Sequence, residues 1–119
     1  MTLTSVNFPS PYPNNALCVW VVTADEDTVV VLQFTEFDLQ RSRDTVVVVG
    51  GHDPTDGNAL IARLSSSLGS ARVISKGPKV WLKFQSDGYF TGRGFSLRIS
   101  QETPGGEFIY IECIKHRVM

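Results

Sequence analysis

Apolar residues occupy every second position in four separate segments of the chain, and that alternation restricts the possible folds more than any other feature. Cys18, Trp20 and Val22 share one side of the first segment, and Val30, Leu32 and Phe34 repeat the pattern. Val80, Leu82 and Phe84 repeat it again, as do Phe95, Leu97 and Ile99. A period of two belongs to strands with one face buried and the other wet, the normal condition of antiparallel sheets. The run from Val46 to Val49 is β-branched without polar interruption and ends at Gly50-Gly51, which predicts an interior strand followed by a turn. Turn residues recur at Pro9 to Asn15, Ala24 to Asp27, His52 to Asn58, Gly77-Pro78, Gly88 to Gly94 and Pro104 to Gly106. Strands at such spacing predict an all-β sandwich of two antiparallel sheets. One segment departs from the rule. Asn58 to Leu68 puts Leu60, Ile61, Leu64 and Leu68 on one side of a helix, and three consecutive serines limit it to at most one or two turns. Beyond the Thr103-Pro104-Gly105-Gly106 turn, FIYIECI reads as a further strand, so 102–119 forms an extra C-terminal segment.

A chain of 119 residues suits a single domain, here 1–119, with a core large enough to need neither metal nor many disulfides. With 11 Lys and Arg against 12 Asp and Glu, it lacks the basic excess of a nucleic-acid or anionic-membrane binder. No apolar run approaches the roughly 20 residues of a bilayer span, and Met1 to Asn7 has neither the basic start nor the apolar stretch of a signal peptide. Cys18 and Cys113 stand in no CxxC pair and beside no metal-like His spacing, which argues against structural zinc. They fit either one long-range disulfide, worth about 2–4 kcal/mol, or two buried thiols.

The chemistry-bearing candidates are acidic. Asp38, Asp44 and Asp87 each stand beside an apolar strand, where aspartate commonly caps local backbone N–H groups. Asp44 and Asp87 come from separate loops and are expected to converge at one end of a sandwich, the way β-scaffolds assemble calcium ligands. Gly88, Gly92 and Gly94 have the wrong spacing for a phosphate loop and precede no helix, so they read as turn glycines. His52 and His116 lack an orienting carboxylate, Ser65 to Ser67 form no nucleophile elbow, and Cys18 has no histidine partner by motif. No catalytic constellation results. Asp44 and Asp87 as glycosidase carboxylates would need a cleft and a separation of about 5–9.5 Å. Trp20 shares the core side of its strand. Trp81 lies opposite the Val80, Leu82, Phe84 side and is a candidate binding anchor.

Taken in order, Pro9-Ser10-Pro11-Tyr12-Pro13-Asn14-Asn15, Cys18-Val19-Trp20, Leu32-Gln33-Phe34, Phe37-Asp38-Leu39, Asp44 before Val46, and Ser86-Asp87 before Gly94-Phe95 form a pattern that resembles a CUB domain over about residues 5–101. The resemblance implies a jelly-roll-like sandwich used as a non-enzymatic, extracellular or cell-surface protein-interaction module within a larger protein. It also implies calcium held by a tyrosine-supported acidic trio, of which Tyr12, Asp44 and Asp87 are present. At the fourth position Gln40 replaces the usual Glu, and Arg41 and Arg43 bring opposing charge. The rival arrangement neutralises Asp44 or Asp87 with Arg41, Arg43 or Arg93. In calcium-binding relatives a lysine or arginine of the partner protein sits beside the ion, which makes Tyr12, Asp44, Asp87 and Tyr89 the expected contact residues. The usual disulfide framework is absent. The strand carrying Cys113 is expected to fill the edge left by a missing first strand and to bond Cys18. A lectin-like alternative would use Trp81, Tyr89 or Phe90 as a stacking platform.

Overall fold

The computed structural model describes residues 2–39, 44–51, 53, 55–87, 91–102 and 109–118, the side chains of 102 and 109–118 excepted. Nine strands follow one another: β1 (Thr2–Thr4), β2 (Ala16–Ala24), β3 (Val29–Asp38), β4 (Thr45–Gly50), β5 (Leu60–Leu64), β6 (Ala71–Ile74), β7 (Lys79–Gln85), β8 (Gly94–Glu102) and β9 (Ile109–Val118). They form a four-stranded sheet in the order β1-β8-β3-β6 and a five-stranded sheet in the order β5-β4-β7-β2-β9. Every paired neighbour is antiparallel. The expected all-β sandwich is therefore the observed one.

The alternation in the sequence becomes the core. Trp20 and Val22 from β2, Leu82 and Phe84 from β7, and Val46 and Val48 from β4 face Leu32 and Phe34 from β3 and Phe95, Leu97 and Ile99 from β8. Phe95 sits at the centre. Its ring meets Trp20, Phe34 and Phe84 edge-on and stacks on Phe37, at centroid distances of 6.1, 5.9, 5.6 and 6.3 Å. These are the separations at which aromatic quadrupoles attract. Gly94 just before it has φ +100°, and a Cβ there would run into Ser5 Oγ. That hydroxyl is needed, because it accepts the Phe95 N–H at 3.0 Å and fixes the start of β8.

Asn58 to Leu68 needs correction. Only Gly57–Ala59 forms a 3₁₀ turn, capped by Asp56, and Leu60–Leu64 continues as strand β5. The reason is tertiary: β4 has an open edge, and pairing Val46 with Leu64 and Val48 with Ala62 satisfies its backbone. The leucines do not share a buried side, since Leu60 and Leu68 are 49% and 44% exposed. Two short strands, β1 and β6, had no counterpart in the alternation pattern. The valine run is interior as expected, with β5 on one side and β7 on the other. Trp20 is buried and Trp81 half-buried on the outer face. The C-terminal segment supplies β9, which pairs along β2 at the sheet edge.

Candidate ligand-binding pole

Three loops meet at the end of the sandwich where β4 and β8 begin and β2 emerges from the proline-rich turn. Ser86, buried at the end of β7, ties two of them together. Its backbone N–H donates to Ala16 O at 3.0 Å, its Oγ accepts the Ala16 N–H at 2.8 Å, and the hydroxyl donates to Pro13 O at 2.9 Å. The Asn15 N–H then donates to Asp87 O at 2.7 Å. The Tyr12 N–H donates to Gly92 O at 3.3 Å, so the turn is anchored to the third loop as well.

This scaffold brings Tyr12, Asp44 and Asp87 together. Asp44 is fully buried. Its Oδ2 accepts the Tyr12 hydroxyl, and its Oδ1 accepts the Asp87 backbone N–H at 2.9 Å. Tyr12 is held by its own packing, with its ring edge-on to Phe84 at 5.1 Å. Burial raises the Asp44 pKa from its ordinary value. The hydrogen bonds from Tyr12 and from the Asp87 backbone pull it down, while the neighbouring Asp87 carboxyl pushes it up again. The pole thus collects two acidic groups at close quarters.

That shift has a sign. A carboxyl whose folded pKa lies above its unfolded value holds its proton more tightly when folded, so stability falls as pH rises from the unfolded value toward the folded one. In chelator, the melting temperature is expected to decline as pH climbs upward from about 4, and Asp44→Asn is expected to flatten the decline. Thermal melts across that range check it.

The remaining candidates divide. Gln40, Arg41, Arg43, His52, Tyr89 and Phe90 lie outside the described residues. Arg93, one of the three arginines of the rival arrangement, is engaged elsewhere. Its guanidinium approaches Glu36 at 3.8 Å, and its backbone N–H donates to Asp38 Oδ2 at 3.4 Å. Asp38 also accepts the Ser67 hydroxyl at 3.0 Å, which makes it a loop cap. Trp81 donates its indole N–H to Gly51 O at 3.0 Å on the outer sheet face. The β2–β9 register sets Cys113 opposite Trp20 and His116 opposite Cys18. Sequence reasoning missed Ser86 as a tether, because its partners Pro13 and Ala16 are distant along the chain. It also missed a cleft of about 480 Å³ beside the pole, lined by Phe8, Glu36, Asp38, Ser70 and Arg93 among others.

The residues present fit a divalent cation in part. Two carboxyls from separate loops supply the oxygens that calcium prefers, and backbone carbonyls or water must complete a shell of about six to eight. Among the described residues no cluster of three or more acidic, His or Cys side chains forms. No described helix is long and apolar enough to cross a membrane.

Comparison with known proteins identifies relatives of this chain. Cubilin of Sus scrofa is 38% identical over 102 residues, covering 78% of this chain and 3% of cubilin. Procollagen C-endopeptidase enhancer 2 of Mus musculus is 33% identical over 107 residues, covering 87% of this chain and 25% of the enhancer. The chain thus spans a small part of these relatives. Among solved structures, the MASP-1 CUB2 domain bound to Ca2+ shares the fold with a TM-score of 0.70 and 22% identity, over 82% of this chain and 88% of that one. The sequence profile of the CUB domain matches residues 1–99. The chain belongs to the CUB domain family.

Proposed function

We propose that this domain is an extracellular protein-binding module without catalytic activity, part of a larger protein, whose pole of Tyr12, Asp44 and Asp87 holds calcium. The observation that carries the reading is the buried Asp44 carboxyl, which accepts the Tyr12 hydroxyl and the Asp87 backbone N–H and so joins two acidic residues from separate loops. Two adjacent carboxyls in a partly buried pole are costly without a cation, and calcium bound there supplies the positive charge that offsets their repulsion. That a family member, the MASP-1 CUB2 domain, binds Ca2+ supports the same assignment. Gln40 would add a neutral carbonyl oxygen where the family has a carboxylate, which predicts an affinity below that of relatives with Glu. A lysine or arginine of the partner protein would approach beside the ion, with Tyr89 at the contact.

The test uses a short lysine-containing peptide and the full chain. In calcium, the peptide is expected to shift the backbone NMR signals of Tyr12 and Asp87, and the shifts are expected to vanish in chelator and in Asp87→Ala. Equal shifts with and without calcium would sink the proposal.

The disulfide between Cys18 and Cys113 belongs to the proposal as well, because β9 carries Cys113 to the strand beside Cys18. The two stand a diagonal apart in the register. Diagonal neighbours in a sheet are typically about 7–8 Å apart, and a bridge needs Cα atoms within about 7 Å, so bonding requires β9 to move toward Cys18. A non-reduced intact mass lower than the reduced mass by a pair of hydrogens supports the bond. An unchanged mass removes it.

A further inference from the structure

The outer face of the five-stranded sheet carries a pattern that the pole does not use. Antiparallel register sets residues side by side across the strands, and two adjacent rows stand out. In the first, Arg63 of β5, Val47 of β4, Lys83 of β7 and Val19 of β2 lie in line. In the second, Leu60, Val49, Trp81 and Val21 lie in line. Lys83 therefore stands between two valines, with Trp81 one row away. A shallow groove of about 210 Å³ runs over this region, lined by Leu17, Val19, Val47, Val49, Thr55, Trp81 and Lys83.

A solvent-facing sheet surface normally reads polar, and on this one Leu17, Val19, Val47 and Trp81 are half-buried while Val21 and Val49 are buried. The charges it does carry on described side chains, Arg63, Lys79 and Lys83, share one sign. Lys79 is committed locally, with its ammonium over the Trp81 ring at 5.5 Å. Lys83 has no such commitment. It is exposed, and among the described residues no carboxylate lines the groove or pairs with its ammonium. Asp53, near the rim, is occupied by Thr55, accepting its N–H at 2.9 Å and its hydroxyl at 2.7 Å. Beyond β2, the register continues the first row with Lys115 and sets Arg117 opposite Leu17 and Glu112 opposite Val21. The chain as a whole has net charge −1, so this basic face exists because acidic residues gather elsewhere, at the pole and at the Asp25 to Asp27 turn.

We propose that this face is a second docking surface, for a partner protein segment that alternates acidic and apolar residues. A partner carboxylate pairs with Lys83, whose stem is flanked by Val19 and Val47, and apolar side chains cover Trp81, Val47 and Leu17. Complementary charge sets the orientation, and the half-buried Trp81, held rigid by Gly51 and Lys79, is the anchor type on which binding energy concentrates. The inference rests on the protein-binding reading but needs neither calcium nor the pole. It predicts the opposite charge preference: the pole selects a cationic partner group, the sheet face an anionic one.

The test is NMR titration of the full chain in chelator, with a capped peptide alternating glutamate with valine and phenylalanine, and its lysine-for-glutamate counterpart. The acidic peptide is expected to shift the Trp81 indole N–H and the amides of Val19, Val47 and Lys83, and the basic one to leave them in place. Lys83→Glu, a change at an exposed position outside the core, is expected to weaken the acidic peptide by about tenfold or more and to bring in the basic one. Lys83→Arg is expected to keep binding. Absence of shifts, equal shifts with both peptides, or Lys83→Glu binding the acidic peptide as well as the original chain would each overturn the proposal. Because no calcium is present, loss of the pole's lysine response leaves this result standing.

Discussion

Replacing Phe95 with alanine is expected to destabilise the domain by about 3–5 kcal/mol, the range for large aromatic truncations in a packed core. Against a typical total of about 5–15 kcal/mol, that loss leaves a large unfolded population under mild denaturant. The size follows from the position. Phe95 is fully buried and contacts four aromatic rings from β2, β3 and β7, so its removal opens a void between both sheets that rigid strands cannot close. Denaturant midpoints for Phe95→Ala and for Leu60→Ala, whose side chain is 49% exposed, give the contrast. The second is expected to stay within about 0.5 kcal/mol of the original chain. Similar midpoints for both would mean that Phe95 is not the centre of the core.

The second large effect falls on Tyr12, where fold and site meet. Tyr12→Ala removes a buried ring packed on Phe84 and is expected to cost about 3–5 kcal/mol. Tyr12→Phe keeps the ring and deletes only the hydroxyl. It leaves the buried Asp44 carboxyl without one of its two described donors, which is expected to cost about 1–3 kcal/mol. The comparison separates packing from polar support. In chelator the Phe variant should also move the pH dependence, because the Tyr12 hydrogen bond is the largest influence holding the Asp44 pKa down. A Phe variant as unstable as the Ala variant would place the whole effect on the hydroxyl, and one as stable as the original chain would remove Tyr12 as support for Asp44.

How much of this could be read in advance depended on whether a residue's role is local. The faces of β2, β3, β7 and β8 were legible because side chains alternate with a fixed period, and inward residues such as Leu32 and Leu82 had to be apolar. The region from Asn58 to Leu68 misled because leucines at that spacing also fit a helix, and what decided it was the open edge of β4, a feature of another segment. β1 and β6 are three and four residues long and carry little alternation to detect. In the pole, Asp44 and Asp87 could be nominated as loop carboxyls from composition and position. Their meeting across a sequence separation of 43, with Tyr12 as donor, came from the family pattern and not from periodicity. Ser86 entered the sequence reading only beside Asp87 in the family pattern, and its three hydrogen bonds exist only because β7 ends where the proline-rich turn passes.

Calcium titration of the intact domain, followed by calorimetry and by melting temperature on the same sample, bears most directly on the pole. Binding at one site should release or absorb heat to saturation, and the stabilisation should grow with the logarithm of free calcium, reaching about 2.7 kcal/mol at a hundredfold excess over Kd. Asp87→Ala should abolish both responses while the domain stays folded. A flat titration together with an unchanged melting temperature would contradict calcium binding at Tyr12, Asp44 and Asp87.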